Sequence, residues 1–422
     1  MTTSTTPRDI VVIGAGIVGM ACASFIRRAG HRVTVLDRGA PGEGTSFGNA
    51  GCLNSSSVVP ISMPGVLAQV PRWLLDPEGP LVLRWRYLPD LAPWLWRFVR
   101  AGTPEKVAAQ ARALRALLGS TLASYAPLIK AAGAEDLVHR AGHLTVYKSE
   151  AGFAKDARAM DLRRANGVVV DDLSVDELRQ LEPGLSRDFV RGRMIAETGH
   201  VGDPYRLVCR LAEAFVRDGG EIRRDSVRGF EFADGAVTGV RGESGVHPAA
   251  QIVLAAGAWS KHLALELGDA VPLDTERGYH VVLRDPEIMP RRPISSADGK
   301  FFATPMDGGL RVAGTVEFAG LEAPPDWRRS RMLLRQAQDM FPALARDIGD
   351  ERLSLWMGFR PSMPDSLPVI GKSRRHRNVV HAFGHGHVGL IGGAMTGRIV
   401  AALVDGAAPP IDIAPFRVER FG

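Results

Sequence analysis

The residues predict an α/β chain of two interleaved domains, one built on a parallel nucleotide-binding sheet and the other on mixed or antiparallel strands. Three observations carry this. A β-branched run from Ile10 to Ile13 ends in Gly14-Ala15-Gly16-Ile17-Val18-Gly19 and passes straight into an apolar helical pattern. Nucleotide-type elements recur in the middle and at the end of the chain, and strand-rich stretches with alternating apolar residues separate them.

The opening unit is the most informative. Residues 10–19 read IVVIGAGIVG, Met20 to Ala29 continue as a helix that Gly30 stops, and Arg32 to Leu36 form a second strand with Asp37 at its end. This is a βαβ unit of about thirty residues with the dinucleotide fingerprint in its first turn. Gly14 permits the tight turn, Gly16 lets the backbone approach a pyrophosphate, and Gly19 lets the helix pack on the strand. The helix N-terminus offers unpaired N–H groups and a positive dipole end to the phosphates. Asp37 is placed to accept hydrogen bonds from an adenosine ribose.

At 422 residues the chain can bury the cores of two domains. Its 45% hydrophobic and 23% charged residues are ordinary globular values. The net charge of +6 is carried by Arg, with only seven Lys among 52 basic residues and no basic block, so nucleic acid is not expected as a partner. Cys22, Cys52 and Cys209 show no metal spacing and are read as reduced packing residues, which suits a reducing compartment. No stretch reaches the roughly 20 apolar residues of a spanning helix, and the apolar run after the polar start is the fingerprint strand, not a signal peptide. The expectation is a cytoplasmic protein, with a peripheral contact to the inner membrane left open.

Further along, a glycine-rich loop covers residues 42–51, and a Ser/Pro-rich stretch follows to Pro64. Residues 73–99 are dense in Trp, Leu, Arg and Pro. Residues 104–132 read as one long amphipathic helix, with Val107, Ala111, Leu114, Leu117, Leu118 and Leu122 on one stripe. A second unit begins at His200, with a helix over 205–218, a Gly219-Gly220 stop and a strand over 221–224. A polar turn then leads through Val227 to paired strands and to QIVLAAGAW at 251–259, a buried strand ending in small residues. Residues 272–316 alternate like antiparallel strands, and 324–341 are helical. The chain closes with 356–361, a strand at 379–383, a loop at 384–389 and a small-residue helix to 404. The division expected is 1–58, 191–262 and 352–422 for the nucleotide-binding domain, and 59–190 and 263–351 for the other.

The fingerprint, the TSFGNAG loop at 45–51, the LAAGAW strand and the GFRP and GHGHVG segments together resemble the FAD-dependent D-amino-acid oxidase/dehydrogenase superfamily. Within it the chain is similar to the bacterial glyphosate oxidoreductase type, through GEGTSFGNAGC, SSVVP, SMPG, GHLTVY, PLDTERGYH, ATPM, RVAGTVEFAGL, WMGFRPSMPDSLPVIG and FGHGHVG. These stretches are spread over nearly the whole chain. The resemblance implies a Rossmann-like FAD-binding domain and a substrate domain in a glycine-oxidase-like arrangement. It also implies non-covalent FAD and oxidation of the C–N bond of a small amino acid or amine that carries a carboxylate.

On that resemblance, Gly14, Gly16, Ile17, Val18, Gly19, Asp37 and Arg38 hold the ADP half of the cofactor. Val227 matches the family position that contacts adenine through its backbone, with a plain core valine as the equal alternative. Ala256, Gly257 and Trp259 line the pyrophosphate channel. Thr45, Ser46, Asn49, Ala50 and Gly51 run beneath the flavin, where a flat ring needs small residues and backbone N–H groups. Gly384, His385, Gly386, His387 and Gly389 form a second GxGxxG. Asp405 follows at a helix end, not a strand end, so the better account is a helix N-terminus aimed at the flavin pyrimidine edge. Gly358 completes the cofactor set. His381, His385 and His387 have no thiolate or carboxylate neighbour in the sequence, and no metal is expected.

The resemblance also implies that Arg360, ahead of Pro361 in GFRP, is the anchor of the substrate carboxylate, a bidentate contact for which a planar guanidinium is suited. By the same resemblance Arg277, Tyr279 and His280 of the TERGYH strand, with His387, complete the expected catalytic pocket, although Arg277 could equally pair with Glu276. A second cation at Arg277 beside Arg360 would suit a dianionic substrate such as a phosphonate. Hydride passes from the α-carbon to the flavin with help from a neutral amine, giving an imine that water hydrolyses, so no obligatory general base is expected. The acceptor is oxygen or a quinone. The Trp-rich stretch 73–99 is read as core and lid, with a membrane-surface role as the alternative. A nicotinamide-linked dehydrogenase would have no need of the distant LAAGAW and GHGHVG elements. The competing reading is an FAD-binding subunit of a hetero-oligomeric amine dehydrogenase without activity of its own. The substrate among D-amino acids, cyclic imino acids and N-substituted glycines, and the oligomeric state, stay open.

Overall fold

A computed structural model describes residues 6–66, 70, 76 and 79–422. The first sheet has six strands in the order Glu221–Arg224, Arg32–Asp37, Asp9–Ile13, Gln251–Leu254, Val379–Phe383 and Val369–Lys372. The first five run parallel and the last pairs antiparallel. Its central strands are buried nearly throughout, as Val/Ile-rich segments covered on both faces must be. On one face the Ile17–Arg28, Pro204–Arg217 and Gly389–Asp405 helices share a core with Ile10, Val12, Val35, Val253 and Val380. On the other, Val11, Ile13, Ile252 and Leu254 pack with a small three-stranded sheet beginning at Val227 and with the Ser260–Glu266 helix.

The second sheet has nine strands. Leu353–Ser362 is its edge, followed by Asp274–Leu283, Gly309–Phe318, Phe301–Met306, Ile294–Ser296, His143–Tyr147, Arg191–Ile195 and Asp171–Leu173, and Leu81–Leu83 pairs with Gly309–Phe318. One face packs against the Arg328–Met340 helix through Tyr279, Val281, Val312, Leu333 and Ala337. The mixed α/β architecture and the interleaving of its two sheets along the chain follow the expected plan.

Three expectations need correction. Residues 104–132 form two helices, Pro104–Leu118 and Thr121–Ala132, because the chain breaks at Gly119-Ser120, where the Thr121 hydroxyl caps the Leu118 carbonyl at 2.5 Å. The helix expected over 324–341 is confined to Arg328–Met340. The domain boundaries at 191 and 352 fall too early, since Arg191–Ile195 and Leu353–Ser362 are hydrogen-bonded into the second sheet. The Trp-rich stretch divides: Leu91, Trp94 and Phe98 form a small core with Phe318, while Trp85 and Trp96 are exposed at 68% and 58%. Trp73 lies outside the described residues. Among those residues no helix is long and apolar enough to cross a membrane.

Candidate active site

At the carboxyl ends of the parallel strands lies a cavity of about 690 Å³, the position where open α/β sheets take their ligands. Gly14, Gly16, Ile17, Val18, Asp37, Arg38, Thr45, Ser46, Asn49, Val227, Ala256, Gly257, Trp259, Gly384, His385, Gly386 and Gly389 all line it. The fingerprint turn shows why its glycines are needed. Gly14 has φ +109° and a Cβ there would meet the Ala255 carbonyl oxygen at 2.4 Å, while a Cβ on Gly19 would meet the Gly14 oxygen at 1.8 Å. Gly19 therefore acts by packing and does not line the cavity.

Asp37 first closes the turn itself. Its Oδ2 accepts the Ala15 N–H at 2.7 Å and its Oδ1 the Gly39 N–H at 2.9 Å, which leaves one lone pair on each oxygen for a ribose hydroxyl. Arg38 lies over the Trp259 ring, 3.7 Å from its centroid, and roofs the same end of the cavity. Asp225, Ser226 and Arg228 also line this end and carried no motif in the sequence. Asp225 accepts from the Ser244 hydroxyl at 2.6 Å and from His247 at 2.7 Å, and these bonds hold its pKa down to about 2.

Two helices, Ile17–Arg28 and Gly389–Asp405, begin at the cavity. Their positive ends suit a pyrophosphate and the anionic edge of a reduced flavin, so the donor set fits a flavin dinucleotide. The histidines of the closing segment separate. His381 is buried in its strand and bonds Asp269 at 2.8 Å, so a carboxylate does accompany it in space. His385 is buried and bonds the Thr396 hydroxyl of the Gly389–Asp405 helix that follows it at 2.9 Å, and burial pushes its pKa down to about 3. His387 keeps a solvent-exposed surface, but the protein packed around its ring desolvates it, and this, with the neighbouring Arg360 cation, holds its pKa down to about 4. Among the described residues no group of three metal-ligand side chains comes together.

The second sheet meets the loop 45–53 with one face, and register defines that face. Directly paired residues share a side, so Glu276 and Arg360, Gly278 and Gly358, and His280 and Trp356 lie on one surface. Arg311 joins them from the next strand, where Val282 pairs with it. His280 stacks on Trp356 with ring centroids 5.1 Å apart, and its Nδ1 donates to the Gly48 carbonyl. Burial pushes the His280 pKa down to about 3, so the ring is neutral. Arg311 donates from Nη1 to the Asn49 carbonyl at 2.6 Å and to that of Phe47 at 3.3 Å. Glu276 is buried beside Arg360, accepts from the Ser362 hydroxyl at 2.7 Å, and burial raises its pKa.

Arg277 and Tyr279 occupy the opposite face, which corrects their expected place in the pocket. Arg277 is completely buried and donates from Nε to the Gly320 carbonyl at 2.7 Å. Its ion-pair partner is Glu317, at 3.8 Å, and not Glu276. The Tyr279 hydroxyl donates to Glu317 at 2.5 Å and accepts from the Asp326 N–H at 3.0 Å. Strand alternation puts these two residues one step out of phase with Arg360, so they cannot supply a second cation beside it. Four further expected cofactor residues miss the cavity, one of them the exposed His387. The Ala50 carbonyl accepts from the Cys52 thiol at 3.7 Å, Gly51 backs on to Met306 and Val201, and Gly358 lies beneath the Trp356 ring. Trp356 and Arg311, both inside motifs quoted above, are the side chains that reading missed; a period-2 count from Arg360 and His280 finds Trp356, whereas Arg311 needs the pairing of a third strand.

Comparison with known proteins gives the same architecture. A family model described as FAD dependent oxidoreductase (DAO) matches residues 9–403. The chain is 43% identical over 417 residues to a D-amino-acid oxidase of Bradyrhizobium diazoefficiens, covering 98% of this chain and 99% of that protein. It is 31% identical over 418 residues to a D-amino acid dehydrogenase of Cereibacter sphaeroides, covering 98% and 95%. The crystal structure of glycine oxidase from Geobacillus kaustophilus superposes with a TM-score of 0.73 at 22% identity, over 98% of this chain and 99% of that one.

Proposed function

This chain belongs to the DAO family of FAD-dependent oxidoreductases, and from that premise we propose that it oxidises the α-carbon–nitrogen bond of a small D-amino acid. The product is an imino acid that water hydrolyses to the oxo acid and ammonia. The observation that carries this reading is the placement of Arg360. Its side chain lies on the face of the sheet turned to the cofactor loop, and its strand neighbours Phe359 and Pro361 are bonded to the two loops that line the cavity. A guanidinium so placed would bind the substrate carboxylate and present the α-carbon to the cofactor. The D configuration is supported by the names of the two curated relatives.

FAD supplies the hydride acceptor. The protein's own share is binding, orientation and charge. The N-terminus of the Gly389–Asp405 helix favours negative charge at the cavity edge. Among the described residues no histidine of the site is poised as a strong base: His280 and His385 are neutral and engaged, and His387, with a pKa held to about 4, is a weak one. The amine must therefore arrive neutral or lose its proton to water. The Trp94 indole donates to the Ser362 carbonyl at 3.2 Å and Tyr87 donates to Asp274, so the segment from Trp85 to Ala101 shields this end of the strand pair.

Anaerobic mixing of the FAD-loaded protein with D-amino acids, L-amino acids, D-proline, sarcosine, glycine and glyphosate tests the proposal. Bleaching of the flavin by D-amino acids is expected. Bleaching only by glycine derivatives or L-amino acids would overturn the substrate class. Readmitting air then assigns the acceptor: fast recolouring marks oxygen, and slow recolouring that a quinone accelerates marks a dehydrogenase.

A further inference from the structure

Arg360 does not project from the sheet; it lies across it. The residue starts on the edge strand, and its guanidinium rests over Gly278 of the neighbouring strand. It ends on the third strand, where Nη1 donates to the Thr315 carbonyl at 2.8 Å and Nη2 to that of Gly314 at 3.4 Å. Two local features make this path possible. A Cβ on Gly278 would meet the guanidinium carbon and Nη2 at 2.3 Å, so only glycine leaves the space. The third strand carries a bulge: Arg277 pairs with Glu317 but Tyr279 pairs with Gly314, so one extra residue is inserted. That insertion leaves Thr315 at φ +60°, a left-handed conformation that is costly for a β-branched residue.

We infer that the Thr315 bulge and the Gly278 gap together form a positioning device that decides which edge of Arg360 meets the substrate carboxylate. The bulge turns the Thr315 carbonyl out of the strand ladder and into the path of Nη1. With both terminal nitrogens engaged, the guanidinium cannot rotate. Nε and the second N–H of Nη2 have no protein partner among the described residues, and they share one edge. That edge is a ready two-donor fork for a carboxylate. The strain at Thr315 thus serves orientation, since a guanidinium that arrives oriented loses less freedom on binding.

This inference rests on reading Arg360 as the carboxylate anchor, and a double-mutant cycle separates the two. Benzoate, a carboxylate with no oxidisable amine, would be titrated into FAD-loaded wild type, Gly278→Ala, Arg360→Lys and the double variant, following the flavin spectrum. Gly278→Ala should weaken benzoate at least tenfold while FAD affinity and Tm, which report the fold, stay within error. In the Arg360→Lys background the same glycine change should cost less than twofold, because the fork it would displace is already gone. Equal losses in both backgrounds would make Gly278 an ordinary packing position and overturn the device. Should Arg360→Lys bind benzoate as tightly as wild type, the anchor reading itself fails, whatever Gly278 does. If Gly278→Ala loses FAD or melts early, the same variant assayed below its melting temperature at saturating FAD, with KM for the amino acid substrate compared with kcat, gives the same comparison: a KM effect with kcat retained supports the device, and equal loss of both overturns it.

Discussion

His280 donates from Nδ1 to the Gly48 carbonyl at 3.0 Å, and this bond ties the sheet that carries Arg360 to the loop expected beneath the flavin. Arg311 grips the carbonyls on either side, those of Phe47 and Asn49. Three successive carbonyls of the loop are therefore held from the second sheet, while Ser46 and Asn49 of the same loop face the cavity. Cofactor site and substrate sheet share one fastening.

Removing that fastening should loosen the cofactor. A hydrogen bond from a charged group contributes about 1.5–3 kcal/mol, so Arg311→Ala is expected to raise the FAD dissociation constant roughly 10- to 100-fold. His280→Phe, which keeps the stack on Trp356 and loses only the bond to Gly48, should cost about two- to tenfold. Flavin fluorescence titration measures both, and unchanged affinity in the pair would show that the loop holds its shape alone.

Arg277 should behave as a structural residue. It is fully buried, and its removal leaves Glu317 with Arg84 as its remaining cation, at 2.7 Å. Breaking such a buried pair typically costs about 3 kcal/mol, so Arg277→Ala should lower Tm by several degrees. Selectivity between a phosphonate and a simple amino acid, measured as a ratio of kcat/KM, should not move. A change in that ratio at unchanged Tm would return Arg277 to the pocket.

Arg360→Lys keeps the charge and loses the fork. KM for an amino acid should rise about 100-fold, near 3 kcal/mol, in line with the loss of a charge-assisted bidentate contact. A primary amine of the same side chain but without a carboxylate is expected to react slowly in both enzymes and to show no such difference. Steady-state kinetics on the matched pair decides this.

Acid should destabilise the protein earlier than its carboxylates alone would. Burial pushes His143 and His200 down to about 4, and His280 and His385 down to about 3, from the ordinary 6.5. Between those values the unfolded chain binds more protons than the folded one. The stability tied to these residues is complete above 6.5 and declines as pH falls below it. Asp225, held to about 2, adds the same sign only beneath its ordinary 3.8. Melting of the FAD-loaded protein should be level from pH 8 to 7 and fall by several degrees towards pH 5. A level curve down to pH 5 would mean the rings become solvated on protonation.

The nucleotide half was legible because its rules are local. Glycine spacing, a β-branched run and an acid at a strand end are read within about thirty residues, and the strand at Val379–Phe383 was bounded correctly by its apolar run. The pocket half was legible only in part, because its decisive facts are pairings between distant strands. TERGYH runs through six consecutive residues, but whether the even or the odd ones face Arg360 depends on register with residues about eighty positions away. The Thr315 bulge has no composition cue at all, since threonine is a poor residue for the conformation it adopts there. The helix break at Gly119-Ser120 was hidden by an unbroken apolar stripe on either side.

The Leu353–Ser362 strand is an open rim of its sheet, and such rims recruit other chains unless something covers them. Here the covering comes from the cofactor site: the Thr45 hydroxyl bonds the Phe359 carbonyl at 2.7 Å, and the Gly386 N–H bonds that of Pro361 at 2.7 Å. The two loops that line the cavity are consequently also the guard of that rim, so a change that displaces either loop bares strand backbone as well as the cofactor site.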